Sequence, residues 1–403
     1  MSAVRPYTGS RVLLGVTGGI ASYKAAWLAR LLTKAGASVD VVMTPAATEF
    51  IGAITFEALT GRPVRSGMFV EGQALDHIRL ARDASVIVVA PATADFVARA
   101  VGGQAGDLLT ACLLAAACPV LLVPAMNDHM WRHPQTRRNF DHARELGYLV
   151  LDPVDGILAA GEGSGPGRMP EPEAIFARVG QLLEPAGALA GKRVLVTAGP
   201  THEPIDPVRF ISNHSSGKMG VAVAAAAWRR GALVDLVAGP MSIAPPYGVT
   251  VHDVRSTMDM ATAVERLLSS ADVVIMAAAP ADFRPSEPAP SKIKKSDALT
   301  VTFTGTTDIL LATANSRRPG SIVVGFALET ENAVHNGRKK LTAKRLDLVV
   351  VNEANEPGAG FGGDTNRVTF LQTDGPDEPL PMMPKTAVAD AILDRVERLI
   401  ERR

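Results

Sequence analysis

A chain of 403 residues exceeds what one hydrophobic core comfortably covers, so two domains of roughly 180 to 210 residues are expected. Forty-one Lys and Arg balance forty-one Asp and Glu, which argues against a nucleic-acid or anionic-membrane partner, and the two cysteines, Cys112 and Cys118, are too few for a disulfide framework or thiolate metal centre. A cytoplasmic protein acting on small molecules is expected: residues 1–10 lack an apolar signal core, and Thr110, Pro119 and Pro124 break the longest apolar run, 108–126, into helix followed by strand.

In chain order, the β-branched run at 11–16 turns at Thr17-Gly18-Gly19 into a helical pattern over 20–35. Further strands are expected at 38–43, 86–90, 120–123 and 148–151, with helical patterns between them. This alternation predicts a doubly wound, mainly parallel sheet, whose ligand sites lie beyond the carboxyl ends of the strands. The loops there are Thr17-Gly18-Gly19, Thr44-Pro45-Ala46, Ala90-Pro91-Ala92-Thr93-Ala94-Asp95 and Pro124-Ala125-Met126-Asn127. Small, hydroxylated and poor in charge, they are either ordinary connections or a cradle for the phosphate and ring of a mononucleotide, with Thr17, Gly18, Gly19, Thr44, Ala90 and Thr93 as contacts. His77 is suited to moving protons near neutral pH and equally suited to a plain surface position. Residues 152–172 lose periodicity and are rich in glycine, as in a lid, before a helical pattern at 173–183.

The second half repeats the alternation, with strands expected at 194–197, 233–238, 273–278, 321–326 and 348–352. The first breaks at Gly199-Pro200 and leads to Asn213-His214-Ser215-Ser216-Gly217, which opens an apolar helix at 219–228. Such a helix N-terminus favours an anion such as phosphate. Ser216-Gly217-Lys218 is not a Walker loop, because Ser212 stands at the first glycine position and Met219 replaces Ser or Thr. Lys292-Ile293-Lys294-Lys295, tethered by prolines at 285–290, is either a solvated run or a phosphate clamp. Lys340 and Lys344, at i and i+4, either face one triphosphate or line an exposed helix face.

Thr17-Gly18-Gly19-Ile20-Ala21, Asp76-His77-Ile78, Ala90 to Asp95, Pro124-Ala125-Met126-Asn127 and Gly165-Pro166-Gly167-Arg168-Met169 resemble the flavin-containing cysteine decarboxylases. Thr197-Ala198-Gly199-Pro200-Thr201, the Ile211 to Gly220 run and Lys292 to Lys295 resemble phosphopantothenate-cysteine ligases. In this order the chain resembles, over nearly its whole length, the bacterial bifunctional enzymes of coenzyme A synthesis. The resemblance implies a flavodoxin-like decarboxylase domain at 1–184, a linker at 185–191 and a Rossmann-like ligase domain at 192–403.

It also implies two reactions. With CTP and Mg2+, the ligase would activate 4'-phosphopantothenate as an acyl-cytidylate, which the amine of cysteine attacks. The other domain, with FMN, would oxidise the product's thiol, release CO2 and return the electrons to give 4'-phosphopantetheine. His77 would handle the proton and Asn127 the substrate carboxylate. Asn213 and Arg209 would hold the acyl-cytidylate. Met276, Ala277, Ala278, Asp282, Lys292, Phe326, Lys340 and Lys344 match nucleotide-site positions. So does Thr306-Thr307-Asp308-Ile309, which departs from the family's Asn-Pro-Asp-Ile at its first two residues. No metal ligands are assigned.

The family's trimeric flavin domains and dimeric ligase domains imply a closed homo-oligomer of twelve chains. One departure concerns chemistry. The family carries a proton-donating cysteine on the lid, but residues 158–164 hold none; Ala160 takes its approximate place, and Glu162 is the candidate donor. The competing readings are a decarboxylase half that stops at the enethiol, a flavin or NAD oxidoreductase, and a flavin-binding module fused to a nucleotide-binding domain. The absence of a dinucleotide fingerprint argues against the oxidoreductase.

Overall fold

Runs of Val, Ile and Leu too short for helices form the strands of two mainly parallel sheets, one in each half of the chain. The computed structural model describes residues 5–71, 74–295, 298–353, 358, 360 and 362–403. It divides into two compact units, residues 1–185 and 186–403.

In the first unit five parallel strands lie in the order Ser38–Met43, Arg11–Val16, Val86–Ala92, Val120–Pro124, Leu149–Val150. Alternate side chains feed opposite faces. Val12, Leu14, Val16 and Val88 pack against the helices Ser22–Lys34 and Pro172–Leu183, through Ala25, Leu28, Ile175 and Val179. Leu13, Ile87, Val89 and Leu122 pack with Phe96, Leu109, Cys112 and Phe140 on the other face. Covered on both sides, the central strand Val86–Ala92 is buried at every position, so it is uniformly apolar rather than alternating. It continues through Pro91 to Ala92, where sequence reading places a loop. The glycine-rich stretch 152–172 contains an antiparallel hairpin, Val154–Ile157 with Ser164–Arg168.

The second unit has eight strands in the order Thr250–Asp253, Leu233–Ala238, Arg193–Ala198, Val273–Met276, Ile322–Glu329, Leu348–Glu353, Thr369–Gln372, Glu378–Pro379. The first six are parallel and the last two add antiparallel. Residues 186–191, read from sequence as linker, fold with this unit: Leu189 is fully buried in its core, and Gly191 N–H donates to Gly231 O at 2.9 Å. Arg230, 4 % exposed, is paired with Asp394 at 2.8 Å and Glu397 at 2.6 Å. That pairing fastens the end of helix Lys218–Arg229 to the C-terminal helix Lys385–Glu401. Among the described residues no helix is long and apolar enough to cross a membrane.

Candidate functional site

Each unit carries a cavity at the carboxyl ends of its parallel strands, where loops leaving neighbouring strands part in opposite directions. In the first unit the cavity is about 1360 Å³ and is lined by Thr17 to Ala21, Thr44 to Ala46, Thr93 to Asp95 and Ala125 to Asn127, with Leu158, Ala159 and Glu162 from the hairpin tip. Gly18 packs so closely on Ala46 that an added Cβ would lie 2.5 Å from the Ala46 Cβ, so only glycine lets these two loops meet. The Thr17 hydroxyl is spent within the protein: it donates to Pro91 O at 2.8 Å and accepts from Thr93 N–H at 3.2 Å. Thr44 differs, since its Oγ1 is buried and has no hydrogen-bond partner among the described residues. A buried hydroxyl without a partner is costly, and one in a cavity wall is a place for a ligand oxygen.

The hairpin is docked by its backbone. Met126 N–H donates to Gly167 O at 3.0 Å, and a Cβ on Gly167, which has φ of 135°, would meet Met126 O at 2.2 Å. At its base Lys24, 5 % exposed, donates to Met169 O at 2.9 Å and to Glu171 Oε1 at 3.0 Å. Burial would push the Glu171 carboxyl up, but Lys24 and Arg168 outweigh it and hold it below its ordinary value. Arg99 pairs with Asp95 at 3.1 Å and Asp107 at 2.5 Å across another wall. Sequence reading missed Lys24, although a lysine between Ser22 and Ala25 on the buried side of an apolar helix is the available signal.

Asn127 caps the helix Asp128–Arg132, its Oδ1 accepting from His129 N–H at 2.9 Å, which leaves the NH2 group to face a ligand. Glu162 lines the cavity, and Ala160 is not among its lining residues. Two expected residues are also absent from the lining. Ala90 is buried within its strand. His77 sits on the helix Asp76–Asp83, which is anchored by Asp76 through Arg65 and Arg79, each at 2.8 Å. Leu75, two residues before it, is 71 % exposed. Cys112 is fully buried in the core, and its thiol is pushed up to about 12 by burial first and by Asp76 and Asp107 next. Burial likewise raises Cys118.

The second cavity, of about 470 Å³, is lined by most of the residues expected there: Asn213, Met276, Ala277, Ala278, Asp282, Thr306, Thr307, Asp308, Ile309, Phe326, Lys340 and Lys344. The loop 277–282 is pinned from four sides. Thr197 Oγ1 accepts from Ala278 N–H at 3.1 Å and Thr201 Oγ1 from Ala281 N–H at 2.9 Å. Thr306 Oγ1 donates to Ala281 O at 2.6 Å, and Asn213 Nδ2 donates to both Ala279 O and Pro280 O at 3.0 Å. With its NH2 group so engaged, Asn213 offers a ligand its Oδ1, an acceptor. Lys344 pairs with Asp308 at 2.7 Å. Lys340 donates to Phe326 O, and its ammonium is pushed down by burial and then by Lys344. Both lysines are among the residues that line this cavity.

Arg209 and Lys292 are not among the residues lining this cavity. Arg209 is committed to Asp206, through Nε at 3.0 Å, and to Ile293 O at 2.8 Å. Asp206 also accepts from the N–H groups of Val208, Arg209 and Ile293, which with the guanidinium hold its carboxyl far below its ordinary value. Arg209 therefore fixes the loop that carries Lys292. Lys218, Lys385, Asn352 and Asn366 line the cavity without having been singled out as contacts. Their strands and helices are distant in sequence, so only the fold gathers them.

Residues 2–184 match the family model described as Flavoprotein, and residues 189–400 match the DNA/pantothenate metabolism flavoprotein C-terminal domain. The coenzyme A biosynthesis bifunctional protein CoaBC of Mycolicibacterium smegmatis is 45% identical over 407 residues, covering 97% of this chain and 98% of that protein. The protein of the same name from Bacillus subtilis is 44% identical over 394 residues, covering 96% of this chain and 97% of that one. A crystal structure of the C-terminal domain of a CoaBC protein, 39% identical, covers 54% of this chain and 100% of its own, with a TM-score of 0.47.

Proposed function

Because the chain belongs to the family of CoaBC bifunctional proteins of coenzyme A biosynthesis, an enzyme with a flavoprotein decarboxylase half and a ligase half, we propose a specific chemistry for each cavity. In the second unit, CTP activates the carboxylate of 4'-phosphopantothenate with release of pyrophosphate. The cysteine amine then forms the amide and CMP leaves. In the first unit, FMN takes part in decarboxylating that product to 4'-phosphopantetheine. The observation that carries this assignment is the contrast between the linings: lysines at 340 and 344 beside a pinned loop in one, and small loops around the unpartnered Thr44 hydroxyl in the other.

For the ligase, Lys340 and Lys344 would take the nucleotide phosphates, the 277–282 loop with Asp282, the 306–309 segment and Phe326 would frame the nucleotide, and Asn213 would hold that loop in place while offering Oδ1 to the reacting groups. Lys292 would act from the loop that Arg209 fixes. Among the described residues no group of three His, Cys, Asp or Glu is placed to hold a metal by itself, an arrangement that suits Mg2+ carried on the triphosphate and touched by one or two carboxylates.

For the decarboxylase, Thr44 and the backbone of 17–19 would hold the FMN phosphate, supported by the orphaned hydroxyl and by the close approach that Gly18 allows. When bound, FMN supplies two-electron oxidation and reduction. The Asn127 NH2 group would hold the substrate carboxylate, the hairpin 154–168 would exclude water, and Glu162 would deliver a proton in place of the family's lid cysteine. His77 would enter the cavity from a neighbouring copy of the chain, supported by its absence from its own chain's lining and by the exposed Leu75 two residues before it. That reading accords with trimers of this unit, dimers of the other and a closed assembly of twelve.

Incubation with 4'-phosphopantothenate, cysteine and CTP, followed by mass spectrometry, tests the whole reading; 4'-phosphopantetheine and CMP are expected. Glu162→Gln should accumulate a species two hydrogens lighter. If the parent already does so and Ala160→Cys cures it, the Glu162 assignment fails and the chain stops at the enethiol.

A further inference from the structure

We propose that Arg317, which is not among the residues lining the second unit's cavity, is a positioning residue for the ligase: its guanidinium clamps together the two backbone segments that carry Asp308 and Lys344. It thereby sets how far apart the groups that face the nucleotide stand. The proposal rests on the ligase reading, in which those groups face the nucleotide.

Arg317 lies on the loop between the four-residue helix Ile309–Ala312 and the strand Ile322–Glu329. Its Nη2 donates to Leu310 O at 2.7 Å, and its Nη1 donates to Lys344 O at 3.0 Å and to Arg345 O at 2.9 Å. Leu310 lines the cavity beside Asp308 and Ile309, and Lys344 lines it from the end of a helix further along the chain. The same two segments meet a second time through side chains, where Lys344 Nζ pairs with Asp308 Oδ2 at 2.7 Å. The clamp and the ion pair close a ring through Arg317, Leu310, Asp308 and Lys344. A planar guanidinium with donors in a fixed fork can hold carbonyls of two segments at a set separation, whereas an ammonium is a single point.

The end of the helix Ala333–Ala343 shows why a clamp is needed. It closes in a reverse turn, with Arg345 N–H donating to Thr342 O at 3.2 Å and Leu346 N–H to Leu341 O at 2.9 Å. That turn puts Arg345 in the left-handed region, at φ of 49°. Glycine is the usual residue at this position, and a residue with a side chain is strained there. The carbonyls of Lys344 and Arg345 lie beyond the last helical N–H, so the donor they need comes from outside the helix, and Arg317 supplies it. Lys340 is in the last turn and Lys344 is the cap, where helices fray, so what holds this turn also holds the two cavity lysines. Leu310, Leu341 and Leu346 share one buried cluster. Apolar burial is non-directional, and the separation of the two backbones is left to the guanidinium.

A residue that only stabilised the fold would affect every substrate alike, whereas a positioning residue affects the substrate its segments touch. Steady-state kinetics on the full-length holoenzyme, varying one substrate at a time and following pyrophosphate release, separate the two. Arg317→Ala is expected to raise KM for CTP about tenfold to a hundredfold while moving KM for 4'-phosphopantothenate less than about twofold. Arg317→Lys keeps the charge and the stem but not the fork, so its KM for CTP should stay within about threefold of that of Arg317→Ala; it serves as the folded variant should alanine fail to fold. In a Lys344→Ala background, Arg317→Ala should cost less than about threefold more, because a group it positions is already gone. Arg318→Ala, at the neighbouring arginine that pairs with Asp272, should leave the CTP kinetics unchanged. Parent-like CTP kinetics in both Arg317 variants, an equal rise in KM for both substrates, or full additivity with Lys344→Ala overturns the positioning role. Failure of the parent to release pyrophosphate from CTP with 4'-phosphopantothenate overturns the ligase reading instead, and the role of Arg317 falls with it.

Discussion

The two cavities occupy equivalent places on related sheets, yet their charge differs in a way that selects the ligand. The first is lined by three cations, Lys24, Arg99 and Arg168, and three anions, Asp95, Asp107 and Glu162. Its cations are already paired: Lys24 and Arg168 with Glu171, and Arg99 with Asp95 and Asp107. These pairs brace the walls and leave a neutral container suited to a large, flat, mostly uncharged ring system. The second is lined by four lysines, at 218, 340, 344 and 385, with Asp282 and Asp308 in the lining and Asp364 paired to Lys218 from outside it, a cation-rich wall that suits phosphorylated ligands. Parallel strands supply the place, and the charge left over after internal pairing determines what it can hold.

The comparison is broken first at His77, the proposed proton-transfer group. His77→Asn should leave the flavin bound and slow CO2 release by about 10²- to 10⁴-fold, with ligase activity unchanged; undiminished decarboxylation would acquit His77. Co-expression with an Asn127→Asp chain sharpens this. If His77 and Asn127 meet across copies, random mixing restores about a quarter of the sites, whereas a site built within one chain gives no restoration.

On the ligase side, Asn213→Asp sets a carboxylate against Ala279 O and Pro280 O, replacing two hydrogen bonds with repulsion. A loss of about 10- to 100-fold in ligase kcat/KM is expected, with flavin content unaffected; wild-type product yield would remove Asn213 from the site.

A smaller effect isolates the neutral cavity. Thr44→Val should weaken FMN about tenfold without lowering the Tm of the flavin-free protein, because the deleted hydroxyl has no partner to lose. Unchanged FMN affinity in an equilibrium titration would place the phosphate elsewhere.

The smallest effect tests the wall pairs. Burial opposes the Asp107 charge, but Thr110 N–H and Arg99 outweigh it and keep the carboxyl below its ordinary value of 3.8. The folded state therefore favours the ionised form, and this stability is present above the unfolded value and lost as pH falls through the lower folded one. Asn also caps helices, so Asp107→Asn removes the charge and keeps the cap. At pH 7 the first unit's transition should fall by about 2–4 °C, corresponding to about 1 kcal/mol. The deficit should shrink as pH drops below 3.8; a pH-independent deficit would trace the effect to packing rather than charge.

The sequence by itself determined the elements that local chemistry dictates. Runs such as Val86 to Ala90 and Val194 to Thr197 can only be buried strands, and the small loops after them mark the ends where ligands sit. The family resemblance named twelve residues that line the second cavity, among them the contiguous runs 276–278 and 306–309. Periodicity could not register the hairpin 154–168, whose glycines carry no alternation, or the strand Thr369–Gln372, held by pairing with Leu348–Glu353. It also read 186–191 as linker because only the core that receives Leu189 reveals its burial.

Tertiary structure alone decided which motif residues reach a cavity. It turned Arg209 toward Asp206 and Ile293 O and away from the lining of the second cavity, and left His77 outside the lining of the first. It also brought Lys218, Asn366 and Lys385 together from positions far apart in sequence. A motif fixes the residue type; whether a side chain remains available to a ligand depends on the partners that folding places beside it.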